Sequence, residues 1–285
     1  MLAKLLRVRD SMKKIKLSEI LTPDVITVAT GIALREVLST MAALRISCVL
    51  AVNSKNQPLG IFTEQDALRV LAGQQALDGL VMADVMTIPP LCASPDMDYR
   101  DAFLLLQEHG SRHLIVTDAH NRLLGIVTEE AFLLHLGSEE LTAFKTVASV
   151  MARNVATIDE GETVATAAQQ MHRLQLSCIV VTRDAVPVGI LTERDAVRLE
   201  LDISEPGRVP VGSVMSCPLI TVSPDTTLEH AIQHFASNKI RNLVVTDQGR
   251  LSGIVNRHNL VNTLRGDYVK FLQETIKKQR RKMLQ

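Results

Sequence analysis

The sequence predicts an α/β chain of four tandem β-α-β-β-α repeats, paired into two modules of a flat, pseudo-symmetric disc. Three observations support this. The segment Gly60-Ile61-Phe62-Thr63-Glu64 returns as Gly125-Ile126-Val127-Thr128-Glu129, as Gly189-Ile190-Leu191-Thr192-Glu193 and, more loosely, as Gly253-Ile254-Val255-Asn256-Arg257, at spacings of 65, 64 and 64 residues. A second marker, Leu21, Met86, Met151 and Met215, keeps the same beat. Third, apolar residues make up 46% of the chain but aromatics only 3%, with no Trp, so each unit has a thin aliphatic core. Repeats of this length bury their apolar faces on one another.

The third copy shows the local pattern. Val155-Ala156-Thr157-Ile158 is a short β-type run. Val164, Ala167, Ala168, Met171 and Leu174 recur at helical spacing. Residues 177–182 form a continuous β-branched run, suited to a strand buried on both faces. Residues 184–187 read as a turn, residues 188–191 as a further strand and residues 193–199 as a second helix. Helices should then cover one side of the strands, and a partner repeat the other.

Bulk properties exclude several classes. The chain has 285 residues, with 31 basic and 31 acidic ones, so overall charge does not favour nucleic acid. There is no apolar run of about 18 residues, the length a membrane span needs. The N-terminal stretch carries Lys4, Arg7, Arg9, Lys13, Lys14 and Lys16 but no long apolar segment, and it does not read as a secretory signal. Cys48, Cys92, Cys178 and Cys217 are widely spaced, which suits buried thiols in a reducing cytoplasm. No phosphate-binding P-loop, HExxH, Gly-x-Ser-x-Gly or dinucleotide fingerprint is present, and repeats account for nearly the whole chain. The expectation is a protein that is not an enzyme and needs no cofactor.

The β-α-β-β-α order, the Val-Met openings (Val85-Met86, Val150-Met151, Val214-Met215) and the Gly-h-x-Thr-x-x-Asp endings (Gly60, Thr63, Asp66; Gly189, Thr192, Asp195) resemble cystathionine β-synthase (CBS) domains. These occur in tandem pairs called Bateman modules. The resemblance runs over residues 17–73, 82–137, 147–200 and 211–264, giving modules at residues 17–137 and 147–264 joined by residues 138–146. It implies a regulatory adenine-nucleotide sensor whose ligand, AMP, ADP or ATP, lies in the cleft between paired repeats. Alternatives are a ligand-free scaffold or dimerisation module, or a sensor of S-adenosylmethionine or a cyclic dinucleotide.

On that resemblance the first site uses Ile26, Ile46 and Ser47 around the base, Thr63 for phosphate and Asp66 for the ribose. The second uses Ala156, Leu176 and Ser177, then Thr192, Arg194 and Asp195, with Arg194 as a cation beside the phosphate. The even repeats could add Arg112, His113 and Arg241 as cations across the cleft. The motif falls at a predicted strand-to-helix junction, where unpaired N–H groups suit a phosphate and a carboxylate can take ribose hydroxyls. The second repeat has Ala131, and the fourth has Asn256 and Asn259, so neither offers the ribose carboxylate. Two competent clefts, formed by the odd repeats, are expected.

Simpler roles compete. Thr-x-x-Asp is close to a helix capping box that needs no ligand. Arg112 and Arg241 could be solvated, or paired with acids at the module interface. Cys48 and Cys178 suit small apolar roles. His230 and His234 stand four apart on a helix, but no third metal ligand is apparent. Residues 265–285 combine Lys270, Lys277, Lys278, Arg280, Arg281 and Lys282 with an apolar stripe. They resemble the signalling helix that joins CBS sensors to diguanylate cyclases or histidine kinases. The expected partners are an adenine nucleotide, a second copy in a homodimer, and an output domain or separate protein reached through that helix.

Overall fold

A computed structural model describes residues 15–128, 131, 145–203, 205–238, 240–256 and 259–260. The first repeat comprises a lead-in turn α1 (Leu17–Ile20), β1 (Thr27–Val28), α2 (Leu34–Leu44), β2 (Cys48–Val52), β3 (Pro58–Thr63) and α3 (Glu64–Ala72). The second has α4 (Met82–Val85), β4 (Cys92–Ala93), α5 (Tyr99–Glu108), β5 (His113–Thr117) and β6 (Leu123–Thr128). The third opens on a 3-10 turn (Val147–Ser149) and continues with β7 (Thr157–Asp159), α6 (Val164–Arg173), β8 (Cys178–Arg183), β9 (Val186–Thr192) and α7 (Glu193–Asp202). The fourth opens on Val211–Ser213, followed by β10 (Thr221–Val222), α8 (Leu228–Asn238), β11 (Asn242–Asp247) and β12 (Arg250–Asn256). The terminal stretch expected as a signalling helix lies outside the described residues, as does most of the segment joining the modules.

Each repeat makes one three-stranded sheet, its first strand parallel and its third antiparallel to the middle one. The middle strands are buried on both faces because their side chains alternate. On β2, Val49 and Ala51 pack under the helices, whereas Cys48 and Leu50 meet Ile115 and Ile126 of the second repeat. One detail departs from the sequence expectation. The hairpin between β8 and β9 turns on Asp184 and Ala185, at φ 50° and 65°, and β9 begins at Val186 rather than Val188. A two-residue left-handed turn closes the hairpin. Pro187, read as part of the turn, sits where the ladder shifts register, a place that tolerates a missing N–H.

The lead-ins are exchanged within each module. Leu17 and Ile20 pack in the core of the second repeat, and Met82 and Val85 in the core of the first. Val147 and Met151 join the fourth repeat, while Val211 and Met215 join the third. Backbone bridges fix the exchange: Thr22 with Ile126, Ile61 with Thr87, Ala152 with Ile254 and Ile190 with Ser216. The two sequence markers therefore meet in space. A Cβ on Gly60 would lie 2.5 Å from Met86 Sδ, and one on Gly125 would lie 2.6 Å from both Leu21 Cδ1 and the Thr22 carbonyl oxygen. Gly189 stands in the same relation to Met215, and Gly253 to Met151. The glycines are required by close approach rather than by backbone conformation.

The two modules pack within one chain. Leu68 and Leu71 of α3 lie in the third repeat's core, and Val197 of α7 in the first repeat's. Counted from Thr63 and Thr192, Leu71 corresponds to Glu200. Glu200 is 7% exposed and, among the described residues, its side chain has no hydrogen bond or ion pair. Burial pushes its carboxyl up to about 7, with Arg35 opposing the shift.

Two measurements check this packing. Gly125→Ala must displace backbone, so it should destabilise the chain by about 1–3 kcal/mol in urea denaturation. Gly60→Ala, against a flexible methionine, should cost less, and Gly31→Ala, with nothing within 4 Å, little. Glu200 keeps its proton on folding, whereas an unfolded glutamate releases it near about pH 4.3. Its contribution to stability is therefore fully present below that pH and is lost as pH rises through about 7. Glu200→Leu should accordingly stabilise the chain more at pH 8 than at pH 5. Equal gains would show that Glu200 does not titrate on folding.

Candidate functional site

The site is built at the junctions where β3 passes into α3 and β9 into α7. Thr63 is the N-cap of α3, with extended backbone at φ −124° and ψ 169°. The Thr63 N–H and hydroxyl both donate to Asp66 Oδ2 at 2.8 Å, and Thr63 Oγ1 accepts the Asp66 N–H at 3.3 Å. Asp66 Oδ1 accepts from Arg69 at 2.9 Å and from the Thr87 hydroxyl at 3.2 Å. Its carboxylate thus receives four donors, about as many as its lone pairs hold. In the third repeat, the Thr192 N–H and hydroxyl donate to Asp195 Oδ2 at 2.8 Å. Among the described residues, Asp195 Oδ1 has only a long contact of 3.5 Å from Arg198. Both motifs form capping boxes, and Asp195 retains acceptor capacity that Asp66 has used.

The base-side residues lie beside these junctions. Ile26 and Ile46 border the first repeat's core, and Ala156 and Leu176 the third's. The Ser47 carbonyl accepts the Glu64 N–H at 3.1 Å, and the Ser177 carbonyl accepts the Glu193 N–H at the same distance. One first-turn N–H of each helix, expected to face a phosphate, is therefore taken. Ser47 Oγ bonds His113 Nε2 at 2.9 Å, and the Ser177 hydroxyl donates to Asn242 Oδ1 at 3.3 Å. Each serine thus reaches across its cleft to the even repeat.

The arginines converge on two glutamates that sequence reasoning passed over. Glu64 and Glu193, the first residues of α3 and α7, are each 4% exposed. Arg112 donates to both oxygens of Glu193, at 2.8 and 2.6 Å. Glu64 accepts from Arg194 at 3.1 Å and from Arg241. All these pairs cross between modules, so Arg112 and Arg241 take the paired option left open by the sequence. Both glutamates stand inside the recurring Gly-Ile-x-Thr-Glu segment, and that repetition was the available signal. Asn242 and Thr87 carried none.

His113 does not supply the charge expected of it. Burial, reinforced by Arg112 and Arg241, pushes its imidazole down to about 3, so it is neutral at physiological pH. Burial likewise raises the Cys48 and Cys178 thiols to about 12 and keeps them protonated. Among the described residues, no three of His, Cys, Asp and Glu are grouped to hold a metal, and no helix is long and apolar enough to cross a membrane.

The repeats and their fold match those of known proteins. The family model for the CBS domain matches residues 17–73, 82–138, 147–202 and 211–266. The CBS domain-containing protein YhcV of Bacillus subtilis is 36% identical over 109 residues, 38% of this chain and 78% of that protein. An uncharacterized protein of Methanopyrus kandleri is 30% identical over 141 residues, 47% of this chain and 72% of that one. Protein MJ1225 of Methanocaldococcus jannaschii, described as a proposed archaeal homologue of g-AMPK, superposes with a TM-score of 0.79 at 19% identity. The match covers 87% of this chain and 99% of that structure, and at such identity it is a likeness of fold.

A neutral His113 can be checked by NMR. Its imidazole nitrogen resonances should stay constant from pH 8 to 5. A midpoint for His113 near 6.5 would restore it as a cation.

Proposed function

The chain belongs to the CBS domain family, and from that premise we propose that it senses adenine nucleotides, binding them in the clefts of its two odd repeats. CBS domain pairs are regulatory ligand-binding modules, and proteins of this family are as a rule regulatory rather than catalytic. The observation behind the finer reading is the gathering of Arg112, Arg194 and Arg241 around the starts of α3 and α7, beside Ser47 and Ser177. Guanidinium groups at helix N-termini suit an anion, and the flanking apolar residues Ile26, Ile46, Ala156 and Leu176 suit a flat base.

In this reading Thr63 and Thr192 lie at the phosphate, Asp66 and Asp195 at the ribose, and His113 contributes as a neutral hydrogen-bonding group. AMP, ADP and ATP are the proposed ligands. Asp195, with an acceptor to spare, is the better ribose partner. A homodimer, a cytoplasmic location and an output reached through residues 265–285 complete the proposal. A ligand acts on such a system only through different affinities for its alternative packings.

A scaffold that binds nothing has one observation in its favour. Both aspartates already serve as caps, and the carboxylate of Asp66 is full.

Isothermal calorimetry separates these readings. AMP, ADP or ATP should bind the wild type, and Asp195→Asn, which keeps a cap acceptor, should weaken binding by about ten-fold or more. Asp66→Asn should weaken it less. A 2′,3′-dideoxy analogue should bind wild type and Asp195→Asn alike. Absence of binding by any adenine compound would leave the scaffold, whereas preference for S-adenosylmethionine would change the ligand but keep the cleft.

A further inference from the structure

The arginines are not waiting empty, and the way they are held is crossed between modules. Arg112 belongs to the first module, but its carboxylate partner, Glu193, stands between Thr192 and Arg194 in the motif of the second. Arg241 belongs to the second module, but its partner, Glu64, stands next to Thr63 in the motif of the first. The pattern obeys the pseudo-twofold relation of the modules, since Glu64 corresponds to Glu193 and Arg112 to Arg241 in the repeat register. The glutamates are almost fully buried, while the side chains of Arg112, Arg194 and Arg241 are 29%, 45% and 32% exposed. The cations face the solvent side of the hub and the anions its interior.

We propose that Glu64 and Glu193 are internal anions that occupy the cationic side of the ligand clefts and lock the two modules together, so that an incoming phosphate displaces them and each cleft controls the other. This rests on the nucleotide reading above and adds the regulation of that site. A phosphate reaching Arg112 in the first module must take it from Glu193, leaving a buried carboxylate unpaired in the second. Stripping one partner from a buried pair is unfavourable, so binding works against the lock. Glu193 is rooted at the first turn of α7, next to the motif that serves the second cleft, so its release disturbs that cleft. The reciprocal route runs from Arg241 through Glu64 to α3. Arg194, also on Glu64, ties the third repeat to the first directly.

The geometry predicts a crossed effect that a local structural role does not. Glu193→Gln keeps shape and hydrogen-bonding capacity but removes the competing charge from Arg112. It should tighten nucleotide binding in the first module's cleft, the one with Asp66, although Glu193 lies in the second module's motif. Glu64→Gln should tighten the cleft with Asp195. Calorimetry of the full chain with AMP and with inorganic pyrophosphate tests this. Each glutamine variant is paired with Asp66→Asn or Asp195→Asn to assign the affected cleft. Tightening by about ten-fold in the crossed cleft supports the lock. Unchanged affinity, or tightening only in the variant's own cleft, overturns it while leaving the nucleotide reading intact. Failure of wild type and variants alike to bind either probe overturns both. If a glutamine variant does not fold, Arg112→Gln gives a second test. It takes the counter-charge from Glu193, and should weaken affinity in the cleft with Asp195, which a purely local Arg112 would leave unchanged.

Discussion

The structure depends first on the exchange of lead-ins between paired repeats. Each third strand lacks a side chain at one point, and the partner's Leu or Met fills that place. Without a Cβ at Gly60, Gly125, Gly189 or Gly253, the partner's chain can lie against the strand and continue its hydrogen bonding. The lead-in cores then belong to both repeats: Leu17 is completely buried, but in a cluster made by its neighbour's residues. A single repeat would lose that burial, at about 1.5–3 kcal/mol for each large aliphatic side chain, and would expose its middle strand. The exchange therefore binds two repeats into a module, although the cores of the first and third repeats are completed across the modules by Leu68, Leu71 and Val197.

Pairing of the modules follows a different rule. Their helices meet through leucines, valines and alanines, but at the centre the contact is ionic, with Glu64 and Glu193 as its inner members. Buried ion pairs of this kind add little net stability over apolar packing, yet removing one partner is costly. A centre of this type therefore serves register better than strength.

Much of this was legible in the sequence because the repeat presents every signal four times. The Gly and Met markers gave the register of the fold, and the burial of β8 on both faces follows from its β-branched run. The start of β9 was misplaced because Pro187 is a strong turn signal, whereas Ala185, which makes the turn, is none. In the site, Thr63, Asp66, Thr192 and Asp195 could be placed at strand-to-helix junctions by motif alone, and their capping role was visible as an alternative. The glutamates were not recognised, because their meaning lies in pairings with Arg112 and Arg241, more than eighty residues away in the chain. His113 misled for a related reason: its charge depends on burial and on neighbouring arginines, which a sequence does not display.

The odd and even repeats have divided their labour. Only the odd repeats combine Ser with the Asp of the motif, the second keeping Thr128 and Glu129 but not the Asp, and even repeats place Arg at the position of that serine, Ser47 and Ser177 corresponding to Arg112 and Arg241. If all four repeats had carried arginine there, like charges would have met across each cleft with no serine to separate them. If all had carried serine, the hub would have held two buried carboxylates with only Arg194 as counter-charge. Alternation satisfies both constraints. It also means that no repeat holds a whole site and that each module's cations answer to the other's anions. The asymmetry between repeats thus ties the charge balance of each module to the other, as the shared cores tie their packing.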